Sequence, residues 1–138
     1  MKKIIITGAA GFIGSHLVES FIRDDTFLYL LDKIKFKNAK NLQFLKNYKN
    51  FKYVNIDLSE IKNSFFTSFK KIDMIIHCAS IIGVNKVNDP FLVHKQITGV
   101  SNKILSFYKR KKILFVYFSS SEIYGDQKIY DEKSGTRI

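Results

Sequence analysis

Short apolar runs alternate along this chain with longer stretches in which apolar residues return every three or four positions. Ile4-Ile5-Ile6 is an uninterrupted β-branched run, the mark of a strand covered on both faces. Phe27 to Leu31, Phe51 to Ile56, Met74 to His77 and Ile113 to Phe118 repeat the pattern, so strands are predicted at all these places. Between them, Ile13, Leu17, Phe21 and Ile22 recur at helical spacing after Gly11. Leu42, Phe44, Leu45 and Tyr48 predict a short helix, and Ile61, Phe65, Phe66 and Phe69 the buried face of another. The longest helix is expected to open at Asp89-Pro90, a capping residue followed by one tolerated in a first turn. Its apolar positions are Val93, Ile97, Val100, Ile104, Leu105 and Tyr108. After Gly125 the chain turns polar, a tail covering about residues 126–138.

Strands alternating with helices predict a parallel sheet with right-handed crossovers. The expected fold class is α/β, a Rossmann-like doubly wound parallel sheet with five strands visible, over residues 1–138 as one domain. In such sheets a ligand binds outside the carboxyl ends of the strands, where the strand order reverses. Gly8, Asp32, Asp57, Ala79-Ser80 and Ser119 to Ser121 all follow predicted strand ends.

Composition narrows the classes. Hydrophobic residues make up 46% and charged ones 25%, a globular balance rather than a disordered one. The longest apolar runs fall far short of the roughly 20 residues of a membrane span, and no apolar signal region follows Met1. The lone Cys78 excludes an internal disulfide and fits a reducing, cytoplasmic setting. Lys and Arg total 23 against 12 Asp and Glu, a net charge of +11. Seven lysines lie between Lys33 and Lys52, and four basic residues stand together at Lys109 to Lys112, where a helix should end. These positions read as a solvated surface, with no specific nucleic acid as partner. His16 and His94 sit on predicted helices without a ligand pattern around them, so no metal site is expected.

The chemistry gathers at the strand ends. Thr7-Gly8-Ala9-Ala10-Gly11-Phe12-Ile13-Gly14 sets three glycines at G-x-x-G-x-x-G spacing between the first strand and the first helix. Gly8 allows a tight turn. Gly11 lets a diphosphate approach the free N–H groups of a helix amino-terminus, and Gly14 lets that helix pack closely on the strand. Asp32 ends the second strand, 32 − 14 = 18 residues after Gly14. A carboxylate there can accept hydrogen bonds from an adenosine ribose and would repel a 2′-phosphate, which favours NAD over NADP. Lys33 and Lys35 beside it suit a phosphate and pull the other way. Asp57-Leu58 ends the third strand, where a carboxylate and the next backbone group can address an adenine. A plain turn-forming aspartate is the equally available reading of Asp57.

Taken in order, these motifs resemble those of the extended short-chain dehydrogenases/reductases, in particular the NAD-dependent nucleotide-sugar epimerases and dehydratases. Thr7 to Gly14, Phe12 and Ile13 included, resembles the family's cofactor loop. Asp32-Lys33 with Asn41-Leu42 resembles the ribose-binding segment of dTDP-glucose 4,6-dehydratases, and Asp57-Leu58 the adenine pair. His77-Cys78-Ala79-Ser80 is similar to the strand-four motif His-Leu-Ala-Ala that lines the nicotinamide half of the cofactor. Gly99 and Asn102 match a helix motif Asn-Val-x-Gly-Thr-x-Asn, from which Gln96 and Val100 depart.

Ser119 to Gly125 resembles the signature Ser-[Ser/Thr]-x-x-Val-Tyr-Gly. The resemblance makes Ser120 the hydroxyl that hydrogen-bonds the sugar O4, and Glu122 the counterpart of a glutamate of dehydratases and UDP-glucuronate decarboxylases. Ser121 stands where dehydratases carry an aspartic acid. A hydroxyl delivers a proton less readily than a carboxylic acid, which favours decarboxylase or epimerase chemistry.

The resemblance further implies NAD as cofactor, a nucleotide-activated sugar as substrate, and oxidation at the sugar C4 with a tyrosine–lysine pair as base. Tyr124 and Lys128 have the spacing, but Gly125 and Asp126 interrupt any helix there, and Tyr130 and Lys133 are one residue too close. The expectation is therefore the amino-terminal portion of such an enzyme, stopping before the tyrosine helix, the later strands and the sugar-binding portion. By itself it should bind NAD poorly, self-associate through apolar surface near the fifth strand and turn over no sugar. No membrane partner is expected, and a homodimer is left open. The competing reading is a non-catalytic nucleotide- or partner-binding module on the same fold.

Overall fold

The computed structural model describes residues 1–81, 89–109 and 112–124, with backbone alone at Asn63, Ser121 and Glu122. Five parallel strands, β1 (Lys2–Thr7), β2 (Thr26–Asp32), β3 (Phe51–Asn55), β4 (Met74–His77) and β5 (Leu114–Tyr117), form one sheet in the order β3-β2-β1-β4-β5. β1 is central: Ile5 lies beside Tyr29 of β2 on one side and Ile75 of β4 on the other. From β1 the chain builds outward through β2 and β3, then returns to β1's other edge for β4 and β5. The fold is thus Rossmann-like, with its topological switch point between β1 and β4.

Side chains alternate across the sheet and feed two cores. Ile4, Ile6, Leu28, Leu30 and Ile76 pack with Val18 of α1 (Phe12–Phe21), Ile22, Leu42 and Leu45. Ile5, Leu31 and Ile75 point the other way, toward Leu58, Ile61, Phe66, Phe69, Val100, Ile104 and Tyr108. Burying each such Ile, Leu or Phe contributes roughly 1.5–3 kcal/mol. The second face is covered by a helix in three parts: α2 (Pro90–Val93), a π-helical turn (His94–Thr98) and α3 (Gly99–Tyr108). Asp89 caps it as expected, its Oδ1 accepting the N–H groups of Phe91 at 3.0 Å and Leu92 at 3.1 Å.

Several expectations are corrected. The two short helices are 3₁₀ segments, at Lys40–Asn47 and, after a turn at Leu58–Glu60, at Asn63–Ser68. Residues three apart eclipse one another in a 3₁₀ helix, and Leu42 with Leu45 forms such a pair on the core side. On α1 the buried residues are Gly14, Ser15 and Val18, while Ile13 is 46% exposed. Gly14 touches the strand end, so Val18, four residues on, shares its face and Ile13 is turned away. Leu105 is likewise outward, at 44% exposure, while Phe107 is half-buried. At the sheet edge, β5 leaves Leu114 57% and Tyr117 47% exposed. No helix among the described residues is long and apolar enough to cross a membrane. The polar tail at 126–138, and with it Lys128, Tyr130 and Lys133, lies outside the described residues.

Candidate functional site

The turn after β1 is shaped by two glycines. Gly8 has φ +67°, and a Cβ on it would stand 2.8 Å from the Ala79 nitrogen, so β1 and the segment after β4 approach here backbone to backbone. A Cβ on Gly14 would stand 2.1 Å from the Gly8 carbonyl oxygen, which only glycine avoids. Gly11, the N-cap of α1, is capped by no side chain, and no acidic residue occupies the first turn. Among the described residues, the amides opening α1 therefore present positive partial charge with no side-chain cap on them.

Asp32 is buried at the end of β2. Its Oδ2 accepts the Ala10 N–H at 2.9 Å and its Oδ1 the Ile34 N–H at 2.9 Å. One carboxylate thus pins the glycine turn and the chain leaving β2, and each oxygen keeps a further lone pair for a ligand hydroxyl. Tyr53 donates to the Ile34 carbonyl at 2.6 Å. Its own burial, then the Asp32 charge, push its phenol far up, so it stays a donor.

At the end of β3, Asp57 Oδ1 accepts the Ser59 N–H at 2.9 Å and the Ser59 hydroxyl at 2.8 Å. Burial works to raise the Asp57 carboxyl. The Ser59 hydrogen bonds and the charges of Lys33 and Lys95 outweigh it and hold the group below the usual carboxylate range.

At the end of β4, His77 is 1% exposed and its Nδ1 lies 2.6 Å from Thr7 Oγ1, which also accepts the Ala79 N–H at 3.2 Å. Burial pushes His77 down to about 4, so the ring is neutral at pH 7 and an unprotonated Nδ1 can take the threonine proton. The network ties β1 to the segment after β4. Burial also pushes the neighbouring Cys78 thiol up to about 11.

These strand ends enclose one cleft of about 410 Å³ outside the β1–β4 switch point. Its wall brings together Gly8, Gly11, Phe12, Ile13 and Gly14 from the turn, and Asp32 and Lys33 from the end of β2. Asp57 and Leu58 join them from the end of β3, with Cys78, Ala79 and Ser80 following β4. Sequence reasoning had not placed Ile34, Ile56 or Ser59 on this wall; Gln96 and Val100, the two departures from the helix motif, line it as well. Their position as apolar residues within two places of a strand end was the signal for Ile34 and Ile56. Asn41 is not on the wall; its Nδ2 donates to the Ala10 carbonyl at 3.4 Å and props the glycine turn from behind. Ser120 is exposed beyond β5 and off the cleft wall, its carbonyl accepting the Ile123 N–H at 3.3 Å. Glu122 belongs to the 3₁₀ turn Ser121–Tyr124, and its side chain lies outside the described residues.

Comparison with known proteins agrees with this geometry. The chain is 29% identical over 143 residues to human dTDP-D-glucose 4,6-dehydratase, covering 96% of this chain and 40% of that protein. It is 29% identical over 132 residues to UDP-glucuronic acid decarboxylase 1 of Danio rerio, covering 95% of this chain and 30% of the relative. Among solved structures, UDP-glucuronic acid 4-epimerase from Bacillus cereus in complex with NAD superposes with a TM-score of 0.77 at 28% identity, over 91% of this chain and 42% of that one. The UDP-Glc/GlcNAc 4-epimerase of Campylobacter jejuni gives 0.84 at 25% identity, over 99% and 43%. The chain thus spans less than half the length of each of these relatives. The family model for the NAD dependent epimerase/dehydratase family matches residues 4–137. A match of that extent, on a chain whose glycine turn, buried strand-end aspartate and strand order already stand as described, makes it a member of that family.

Proposed function

We propose that the chain binds NAD in the β1–β4 cleft and forms the cofactor-binding portion of a nucleotide-sugar epimerase, dehydratase or decarboxylase that works through transient oxidation at the sugar C4. One observation carries the reading: the uncapped amides opening α1 and the Asp32 carboxylate border a single cleft at the switch point. In it the diphosphate lies against the start of α1, Asp32 receives the adenosine ribose, and Asp57-Leu58 meets the adenine. The segment Cys78 to Ser80 flanks the nicotinamide. When bound, NAD supplies the hydride acceptor. Ser120 and Glu122 follow β5, the neighbour of β4, so the sugar lies on the side of the nicotinamide segment and Ser120 hydrogen-bonds its O4. UDP- and dTDP-sugars are the substrate class, taken from the relatives named above.

Calorimetric titration of NAD, NADP and a UDP-sugar into the chain, with Asp32→Ala as control, tests the reading. NAD is expected to bind more tightly than NADP, with Asp32→Ala losing the preference. Equal binding of both by the wild-type chain, or none of either, contradicts it and leaves the non-catalytic module as the better account.

A further inference from the structure

We infer that Lys103, supported by Lys95, is a positioning residue that holds the adenine end of the cleft in shape; the inference rests on the cofactor reading above. The turn Leu58–Glu60 brings Leu58 and Ser59 to the cleft wall, both buried, on three residues of 3₁₀ helix. Such a turn has little rigidity of its own: Glu60 N–H donates to the Asp57 carbonyl at 3.1 Å, and the carbonyls that follow have no helix to continue into. Lys103, half-buried on α3, fills that gap. Its Nζ donates to the Ser59 and Ile61 carbonyls, each at 3.1 Å.

The consequences run through Ser59, whose two flanking peptides and hydroxyl are all engaged. Its carbonyl is fixed by Lys103, while its N–H and its hydroxyl both hold Asp57 Oδ1. The orientation of the Asp57 carboxylate is therefore set from below by the Lys103 ammonium. Lys95, 103 − 95 = 8 residues earlier on the π-helical turn, meets Glu60 Oε1 at 2.6 Å. That pair is exposed, at 42% and 67%, and exposed ion pairs contribute little. Lys103 is less exposed and makes two charge-assisted hydrogen bonds to backbone, the stronger kind. The helix that carries both lysines also brings Gln96 and Val100 to the cleft. Lys103 thus locks that wall to the adenine turn.

The full chain and its Lys103→Met variant, which keeps the aliphatic stem, are titrated calorimetrically with ADP-ribose and separately with nicotinamide mononucleotide. Hydrogen exchange of the amides from Ser59 to Ile61 is followed without ligand. Lys103→Met is expected to weaken ADP-ribose about tenfold, in line with the loss of hydrogen bonds from a charged donor. Nicotinamide mononucleotide binding stays unchanged, the turn amides exchange faster, and Lys103→Arg restores most of the loss. Wild-type affinity for ADP-ribose in Lys103→Met, or equal weakening of both half-cofactors, overturns the positioning role. Should Lys103→Met fail to fold, Lys103→Gln carries the same comparison. A wild-type chain that binds neither half-cofactor refutes the cofactor reading. The exchange data then decide the clamp separately, unchanged exchange in the variant overturning it.

Discussion

Replacing Gly14 by alanine perturbs the site at its tightest point. The new Cβ would stand 2.1 Å from the Gly8 oxygen and 2.9 Å from the Ala9 Cα, where ordinary contact begins near 3.4 Å. Either α1 retreats by about 3.4 − 2.1 = 1.3 Å or the Gly8 peptide turns away. The peptide is not free to turn: its oxygen accepts the Gly11 N–H at 3.0 Å and its N–H, that of Ala9, donates to the Leu31 carbonyl at 3.4 Å. Overpacking of this kind costs about 1–3 kcal/mol, and more when backbone must move. Alanine's better helix propensity offsets about 1 kcal/mol of that. A net loss of about 2 kcal/mol lowers Tm by roughly 5–8 °C in a chain of this size. The same retreat carries the first-turn amides away from the diphosphate. Losing one charge-assisted hydrogen bond weakens NAD by on the order of tenfold or more. Gly11→Ala is the control, because its Cβ meets only the Gly8 oxygen, at 3.2 Å, and otherwise open space. It should melt within about 1 kcal/mol of wild type and weaken NAD by narrowing the cleft. Scanning calorimetry and NAD titration on both variants measure this. A Gly14→Ala chain that melts and binds like wild type refutes the reasoning.

Other outcomes follow from the same contacts. Asp32→Asn offers one acceptor where two N–H groups, from Ala10 and Ile34, are now served; urea unfolding should show a loss of about 1–3 kcal/mol, and the preference for NAD over NADP should shrink. His77 has a folded pKa near 4 against an ordinary 6.5. Its contribution is therefore full above pH 6.5 and falls as pH drops to 4, where the unfolded chain takes up a proton that the folded chain refuses. That loss amounts to on the order of 3 kcal/mol. His77→Gln, which can still accept the Thr7 proton but does not titrate, should remove this part of the pH slope of urea unfolding. The Cys78 thiol, raised to about 11 from 9.0, should react with iodoacetamide about tenfold more slowly than a free cysteine, the smaller thiolate fraction being offset in part by a stronger nucleophile, and more slowly again with NAD bound.

The sheet and most of the cleft were legible in the sequence because both depend on short-range pattern. Ile4-Ile5-Ile6 has to be a covered strand, the glycine spacing of Gly8 to Gly14 has few uses between a strand and a helix, and Asp32 marks the next strand end wherever its boundary falls. What stayed hidden depends on contacts distant in sequence. Lys103 reaches carbonyls 42 and 44 residues away, and along the chain it is one more lysine in a surface rich in them. Leu105 and Phe107 are both compatible with the helical repeat, and the π-helical turn at His94–Thr98 shifts the register that would have distinguished them. The two short helices are 3₁₀ rather than α, a distinction that apolar spacings of three do not make. Asn41 was assigned to the ribose by resemblance, while its contact is with the back of the turn.

The central claim is that a dinucleotide lies across the β1–β4 switch point with its diphosphate on the opening of α1 and its ribose on Asp32. Amide chemical-shift mapping of the chain during NAD addition tests it most directly. The account predicts that shifts concentrate at Gly8 to Gly14, Lys33, Leu58 and Ala79, and that Asp32→Ala reduces them at matched NAD concentration. Shifts confined to the lysine-rich surface between Lys35 and Lys52, or a full set surviving in Asp32→Ala, would contradict it.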